Sequence, residues 1–334
     1  MKTFLRLAVL ALAGTGALAL AGNALAMQKL GVRQTATSLT IKVSQAQTDP
    51  QPAKISIYVP SGYSINGSAT AGTKIGTTTG TVFSRDANIP LPLSGDVVAV
   101  PPTTNAPGCD PVPHLAVWNL ALAVAGNSIN LPVHVDQTAG AETAFGAYKL
   151  VVCLGPDDVP AGTPGRSPNG ARLLDATFTV DNVFTIAPGD TVWKAITTPW
   201  AGGAPNPTGT VETRALVSNG VVTLNARVAN KAKRVLRASG KVTQSGAAVA
   251  GAQVSLLLNG KSRFRLRSSA TGAYSIVLRK SGKKTTTTFQ ARTTVAERDA
   301  TTTGCASPSL PNVPCVNATM SPFTAVSRKI RIQL

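Results

Sequence analysis

Arg263, Arg265, Arg267 and Arg279 are the side chains whose type and spacing point most directly to chemistry. The first three recur at every second residue, so on an extended strand they share one face at intervals of about 6.8 Å. A guanidinium carries a permanent charge and a planar fork of donors that fits phosphate or carboxylate. Such a row suits a polymer that repeats its anions. Trp193 and Trp200 stand in a stretch rich in Pro and Gly, residues 186–209. Exposed, they would form a platform for a sugar ring; buried, they would hold a loop or a domain junction together. Cys109, Cys153, Cys305 and Cys315 are an even set with no C-x-x-C pair and no histidine nearby at ligand spacing. That pattern reads as two disulfides and not as a metal site; of the three possible pairings, Cys109 with Cys153 and Cys305 with Cys315 is favoured because each pair then falls within one expected domain.

The other reactive side chains do not assemble into a catalytic pattern. There are two histidines, His114 and His134. On a strand, His134 and Asp136 share a face and have the types of a His–carboxylate pair, but no nucleophile stands at a matching position. Ser281-Gly282-Lys283-Lys284 has the form S-x-x-K without its companion motifs, and neither G-x-S-x-G nor H-E-x-x-H occurs. Leu91-Pro92-Leu93-Ser94-Gly95 has the form of a sortase signal but lies far from the C-terminus, where it reads as a turn. Asp157-Asp158 sits among Pro and Gly and reads as solvated surface, with a calcium loop as the lesser alternative. The expectation is a protein with no catalytic residues, no metal and no cofactor.

The charge is unevenly distributed. Residues 1–213 hold 12 Lys and Arg against 12 Asp and Glu, while residues 214–334 hold 20 against 2, Glu297 and Asp299. The whole formal net charge of +18 therefore belongs to the second half. Like charges at that density repel, and a polyanionic partner relieves the repulsion. A solubilising surface that also protects strand edges is the competing explanation. Sequence-specific nucleic-acid recognition is disfavoured, since aromatic residues make up 4% of the chain and no reading helix is evident.

The elements that must carry these residues are strands. Lys2 and Arg6, an apolar run from Leu7 to about Ala21, and then Ala24-Leu25-Ala26 have the form of an export signal cleaved after Ala26. Thr, Val, Ala, Gly and Pro dominate the remaining chain, a mix that favours strands joined by turns. In residues 36–218, Leu39, Ile41 and Val43 alternate with polar neighbours, as do Ile55, Ile57 and Val59 and then Leu174, Ala176, Phe178 and Val180. Seven or so short strands at this spacing predict a β-sandwich with a Pro/Gly/Trp-rich loop at 186–209. Residues 219–334 predict a second, basic β-domain, in which Val254, Leu256 and Leu258, then Phe264 and Leu266, then Tyr274, Ile276 and Leu278 mark buried faces.

The runs Ser239-Gly240-Lys241-Val242, Val249-Ala250-Gly251-Ala252-Gln253-Val254-Ser255-Leu256 and Thr271-Gly272-Ala273-Tyr274-Ser275-Ile276 resemble the bacterial prealbumin-like and carboxypeptidase-regulatory-like (Cna B-type) modules. The resemblance covers about 45 residues; the Asp usual before the G-x-Y turn is missing, and arginines are dense on the strand between. It implies an immunoglobulin-like sandwich that acts as a spacer, an adhesion unit or a carbohydrate-binding unit, without catalysis.

The expectation is thus an all-β chain of two immunoglobulin-like antiparallel β-sandwich domains in tandem behind a signal peptide at 1–26. Secreted, it would associate through its basic half with an acidic cell-wall or matrix polymer. The alternative is a carbohydrate-binding accessory protein that stacks a glycan on Trp193 and Trp200.

Overall fold

The computed structural model describes residues 28–105, 109–111, 113–185, 189–281 and 285–334. The expected signal peptide and most of the S-x-x-K segment lie outside them. The described chain is all-β, with one four-residue helical turn, Thr301–Gly304, and three 3-10 turns.

Among the described residues, eleven strands of three or more residues occupy the first part: β1 Lys29–Gln34, β2 Ser38–Ser44, β3 Pro52–Val59, β4 Lys74–Ser84, β5 Ile89–Val100, β6 Ala116–Val124, β7 Asn127–Gln137, β8 Tyr148–Cys153, β9 Ala171–Asp181, β10 Thr191–Ala201 and β11 Val211–Val217. They form one unbroken ladder in the order β1-β2-β9-β4-β5-β6-β7-β8-β3-β10-β11. This corrects the expectation of short strands in two separately paired sheets. Several strands reach 11 or 12 residues, long enough for the accumulated twist to curl a sheet onto itself. β1 comes to lie against β11, and the inward residues of every strand share one core around Trp118, Trp193, Ile57 and Leu150.

Two expected irregular segments are strand. Leu91–Gly95 lies inside β5, paired with β4 throughout and with β6 from Leu93 onward, and is not a turn. The Trp-bearing stretch is β10, whose Trp193, Ala195, Thr197 and Pro199 point into the core. Proline and glycine had marked both as loops, yet alternation survives through them and Pro199 sits at a register shift, where a ladder tolerates a missing N–H.

The second part has β12 Gly220–Val222, β13 Asn225–Asn230, β14 Val235–Gln244, β15 Gln253–Leu258, β16 Lys261–Arg267, β17 Ala273–Arg279, β18 Thr286–Val295, β19 Cys315–Met320, β20 Phe323–Val326 and β21 Ile330–Gln333. β14 is the centre of one sheet, with β12 and β13 on one side and β17 on the other. The second sheet runs β16-β15-β18, with β20 and β21 end to end along the far edge of β18. Leu236, Ala238 and Val242 from one sheet meet Val254, Leu256 and Phe289 from the other in a separate core.

The boundary at 218/219 does not describe the pairing. β19 leaves the two small sheets and joins the large one, parallel to β11, and Arg298–Asp299 pairs beyond it. Residues 298–320 are an excursion of the second part into the sheet of the first. Its physical basis is the β11 edge, whose unpaired N–H and C=O groups need a partner.

Candidate functional site

The two small sheets and their connections, residues 219–295 and 321–334, contain 18 Lys and Arg and no Asp or Glu. Both acidic residues of the basic half, Glu297 and Asp299, fall at or within the excursion that leaves them. No carboxylate side chain of their own offsets these cations.

Arg263, Arg265 and Arg267 lie on β16, exposed on the outer face, while Phe264 and Leu266 turn inward against the core. The alternation places them as the sequence predicts, with Arg263 at a β-bulge opposite Leu256 and Leu257. Register then supplies a fourth cation. Arg265 pairs with Ser255 on β15, and Ser255 pairs with Arg292 on β18. Residues directly opposite share a face, so Arg265, Ser255 and Arg292 form one row across three strands. Gln253, Ser255 and Leu257 floor a trough of about 310 Å³ walled by Arg292 and Thr294 on β18 and by Ser262 on β16. The flanking strands stand about 9.6 Å apart, two ladder spacings. Arg292 lies 25 or more positions from the other three, and its place follows from strand order alone.

Arg279 does not belong to this row. It ends β17, in the opposite sheet, paired with Val235 and exposed there. It shares that second outer face with Arg237, which pairs with Arg227 on β13. The chain changes sheets at the turn between β16 and β17, so an apparent run of arginines divides between two faces. A wider, open hollow on this second face is bounded by Arg237, Lys241 and Ser275 together with Leu224 and Tyr274. Beneath it the Tyr274 hydroxyl donates to the Thr223 carbonyl, and burial raises the phenol pKa above its ordinary range.

The tryptophans do not make a platform. Trp193 is fully buried, edge-on to Tyr63 at 5.2 Å and to Phe184 at 6.4 Å between ring centroids. Its side chain follows the inward alternation of β10. Trp200 points to the other face, part-buried, its indole N–H donating to the Leu154 carbonyl at 2.8 Å. The two rings project from opposite faces of one strand and cannot hold the same sugar.

Both disulfides form with the expected partners, Cys109–Cys153 and Cys305–Cys315. The first ties the Pro-rich segment after β5 onto β8, over a cluster of ionisable residues. Asp110 sits between Lys54 and Lys149, and Lys149 also reaches Glu142 at 3.2 Å. Burial alone would raise the Asp110 pKa, but Lys54 and Lys149 outweigh it and hold the carboxyl below its usual range. Burial likewise opposes the Lys149 charge, and Asp110 and Glu142 raise its pKa nonetheless. The carboxylate partner of a histidine is not the expected one. Asp136 meets His114 Nδ1 at 3.0 Å, while His134 lies under the His114 ring. A loop residue that covers the strand has displaced the same-strand neighbour. Among the described residues, no three His, Cys, Asp or Glu side chains gather as metal ligands.

The second disulfide closes the excursion. It lies over Glu212 and Arg214 on β11, so this bridge fastens the end of the large sheet and not the basic part to which its sequence position assigned it.

No family model matches this chain, and no curated protein matches it. Among solved structures it is similar to one described as the crystal structure of a tetra-tandem repeat in the extending region of a large adhesion protein, at 10% identity over 92% of this chain and 98% of that one, with a TM-score of 0.25.

Proposed function

We propose that this is an exported, non-enzymatic protein that holds an anionic polymer of the cell envelope along the arginine-walled trough of β16, β15 and β18. The row Arg265–Ser255–Arg292 carries the reading. Ser255, short at the middle of the central strand, lets a chain lie low between Arg265 and Arg292 on either side, and Arg263 and Arg267 repeat the charge along its length. Arg265 and Arg267 leave the strand about 6.8 Å apart along its backbone, a spacing that suits a phosphate or carboxylate on each repeat of an extended polymer. The absence of any Asp or Glu from the surrounding sheets leaves the attraction unopposed. The segments that resemble prealbumin-like modules form β14, β15 and the start of β17, which supports a spacer or adhesion unit as the context of the trough.

The test uses the full chain, because residues 298–320 belong to the large sheet and a fragment from 219 would lose their partners. Long-chain inorganic polyphosphate and isolated cell envelopes serve as probes, neutral dextran as control, across a salt series. Binding to both anionic probes that weakens steeply with salt, with none to dextran, is the expected result. Absence of polyphosphate binding at low salt, or binding unchanged after Arg265→Ser with Arg292→Ser, overturns it and leaves the charge as a solubility device.

A further inference from the structure

The large sheet encloses an apolar cavity of about 250 Å³. Small residues at inward positions create it. Phe178 on β9 pairs with Thr78 on β4, Thr78 with Gly95 on β5, and Gly95 with Leu122 on β6. Where a Val or Leu would fill the interior, this row has a threonine and a glycine, and Ala176 stands two residues before Phe178. Gly95 itself leaves no room for a side chain, since a Cβ there would lie 1.9 Å from the Ala121 carbonyl oxygen, and the lining along this row comes from Thr78, Phe178 and Leu122, with Ala176 beside them. Val124, Leu131 and Val133 complete the wall on β6 and β7.

A second observation points to an occupant. Thr78 is 1% exposed, lines the cavity, and its Oγ1 has no hydrogen-bond partner. A buried hydroxyl without a partner costs stability; the other polar side chains on the mostly apolar wall, Gln51, Arg166 and Ser167, all have partners. A cap spans one end of the cavity, residues 155–168. It is held by Asp157 against Arg172 at 2.7 Å and by a two-pronged contact of Arg166 with Asp86 at 2.6 and 2.9 Å. The third guanidinium nitrogen of Arg166, Nε, donates to the Val159 carbonyl. Among the described residues, the one cation on the cavity lining is therefore already neutralised.

We infer that the cavity is a binding site for a neutral aliphatic molecule of about ten carbons that bears one hydroxyl or carbonyl group. The size follows by proportion from benzene, which fills a dry cavity of about 150 Å³. The neutral head group follows from the commitment of Arg166 to Asp86. Thr78 Oγ1 supplies the hydrogen bond that orients the ligand. This site lies in the other core from the basic trough and stands or falls independently of it.

1-Decanol is the probe, with decanoate at alkaline pH for comparison, read by native mass spectrometry and calorimetry on the full chain. The expected result is one decanol per chain and weaker binding of decanoate. Thr78→Val, which keeps shape and removes the hydroxyl, lowers decanol affinity about tenfold. Ala176→Phe and, from β7, Leu131→Phe each fill the space and abolish binding while cooperative thermal unfolding is retained. Two filling variants guard against either one failing to fold. No stoichiometric decanol binding by the wild-type chain, or binding that survives in a folded filling variant, overturns the inference.

Discussion

His114 lies flat on His134, with ring centroids 4.2 Å apart and planes 4° from parallel. Asp136 holds the upper ring, and the lower ring, wholly buried, has neither nitrogen hydrogen-bonded. The Cys109–Cys153 bridge keeps this stack closed by fixing the segment that carries His114.

Stability should fall in mild acid. Burial, and then the neighbouring His114, lowers the His134 pKa below 6.5; Lys54 acts in the same direction, and Asp136 and Asp110 oppose it. The unfolded chain takes up this proton near pH 6.5 and the folded chain only at lower pH. The contribution of His134 is therefore fully favourable above about 6.5 and is lost as pH falls from there towards the folded pKa. Thermal unfolding across this range should show the decline, and His134→Phe should flatten it. An unchanged profile in that variant would assign the acid sensitivity elsewhere.

Glu212 is fully buried and contacts Arg214 Nε at 2.6 Å, Ser309 N at 2.8 Å and Ser309 Oγ at 2.9 Å. Arg214 in turn donates to the Gly304 and Ser307 carbonyls. Glu212→Ala leaves the largely buried Arg214 guanidinium without its counterion, a loss of about 3 kcal/mol. Chemical denaturation measures it, and a change under about 1 kcal/mol would show that the excursion docks through strand pairing alone.

The two disulfides should differ in weight. By loop-closure entropy, opening Cys109–Cys153 costs up to about 4 kcal/mol and opening Cys305–Cys315 up to about 3. Paired Cys→Ser variants test both. The first should also reduce the acid sensitivity, because it releases the segment that covers His134.

Trp193→Ala should destabilise the chain by about 4 kcal/mol, the range for an aromatic removed from a closed core. Trp200→Ala, which removes a part-buried ring and one hydrogen bond to Leu154, should cost less. Equal losses would contradict the placement of Trp193 in the interior of β10.

Salt dependence separates the two basic faces. Replacing Arg263, Arg265 and Arg267 by Ser should reduce the slope of log affinity for polyphosphate against log salt by about 2, at roughly 0.7 per contact for a flexible polyanion. Arg279→Ser, on the other sheet, should leave the slope unchanged. An equal effect per arginine on both faces would mean diffuse attraction without a trough.

Much of the architecture was legible as alternation. Leu174 to Val180 and Phe264 to Leu266 declare their buried faces because side-chain direction in a strand repeats every two residues, which is a local property. Pairing partners are not local. Arg279 looks like a continuation of the 263–267 row until the turn after β16 carries the chain into the other sheet. Trp193 looks like loop until β3 and β11 pair on either side of it. His134 has Asp136 two residues away, yet Asp136 goes to His114, which reaches it from outside the strand.

The sequence by itself determined the all-β class, the concentration of positive charge in the second half, the outward direction of Arg263, Arg265 and Arg267, and the even set of cysteines. These depend on composition and on a two-residue period, which a chain carries whatever it folds against. The tertiary structure alone decided that Arg292 joins Arg265 across Ser255, that residues 298–320 complete the sheet of the first part, and that Thr78, Leu122 and Ala176 meet around a cavity. Each of these depends on which strands become neighbours. That choice is made by closing the large sheet and satisfying its edges, where the energy comes from residues distant in sequence and no local pattern records it.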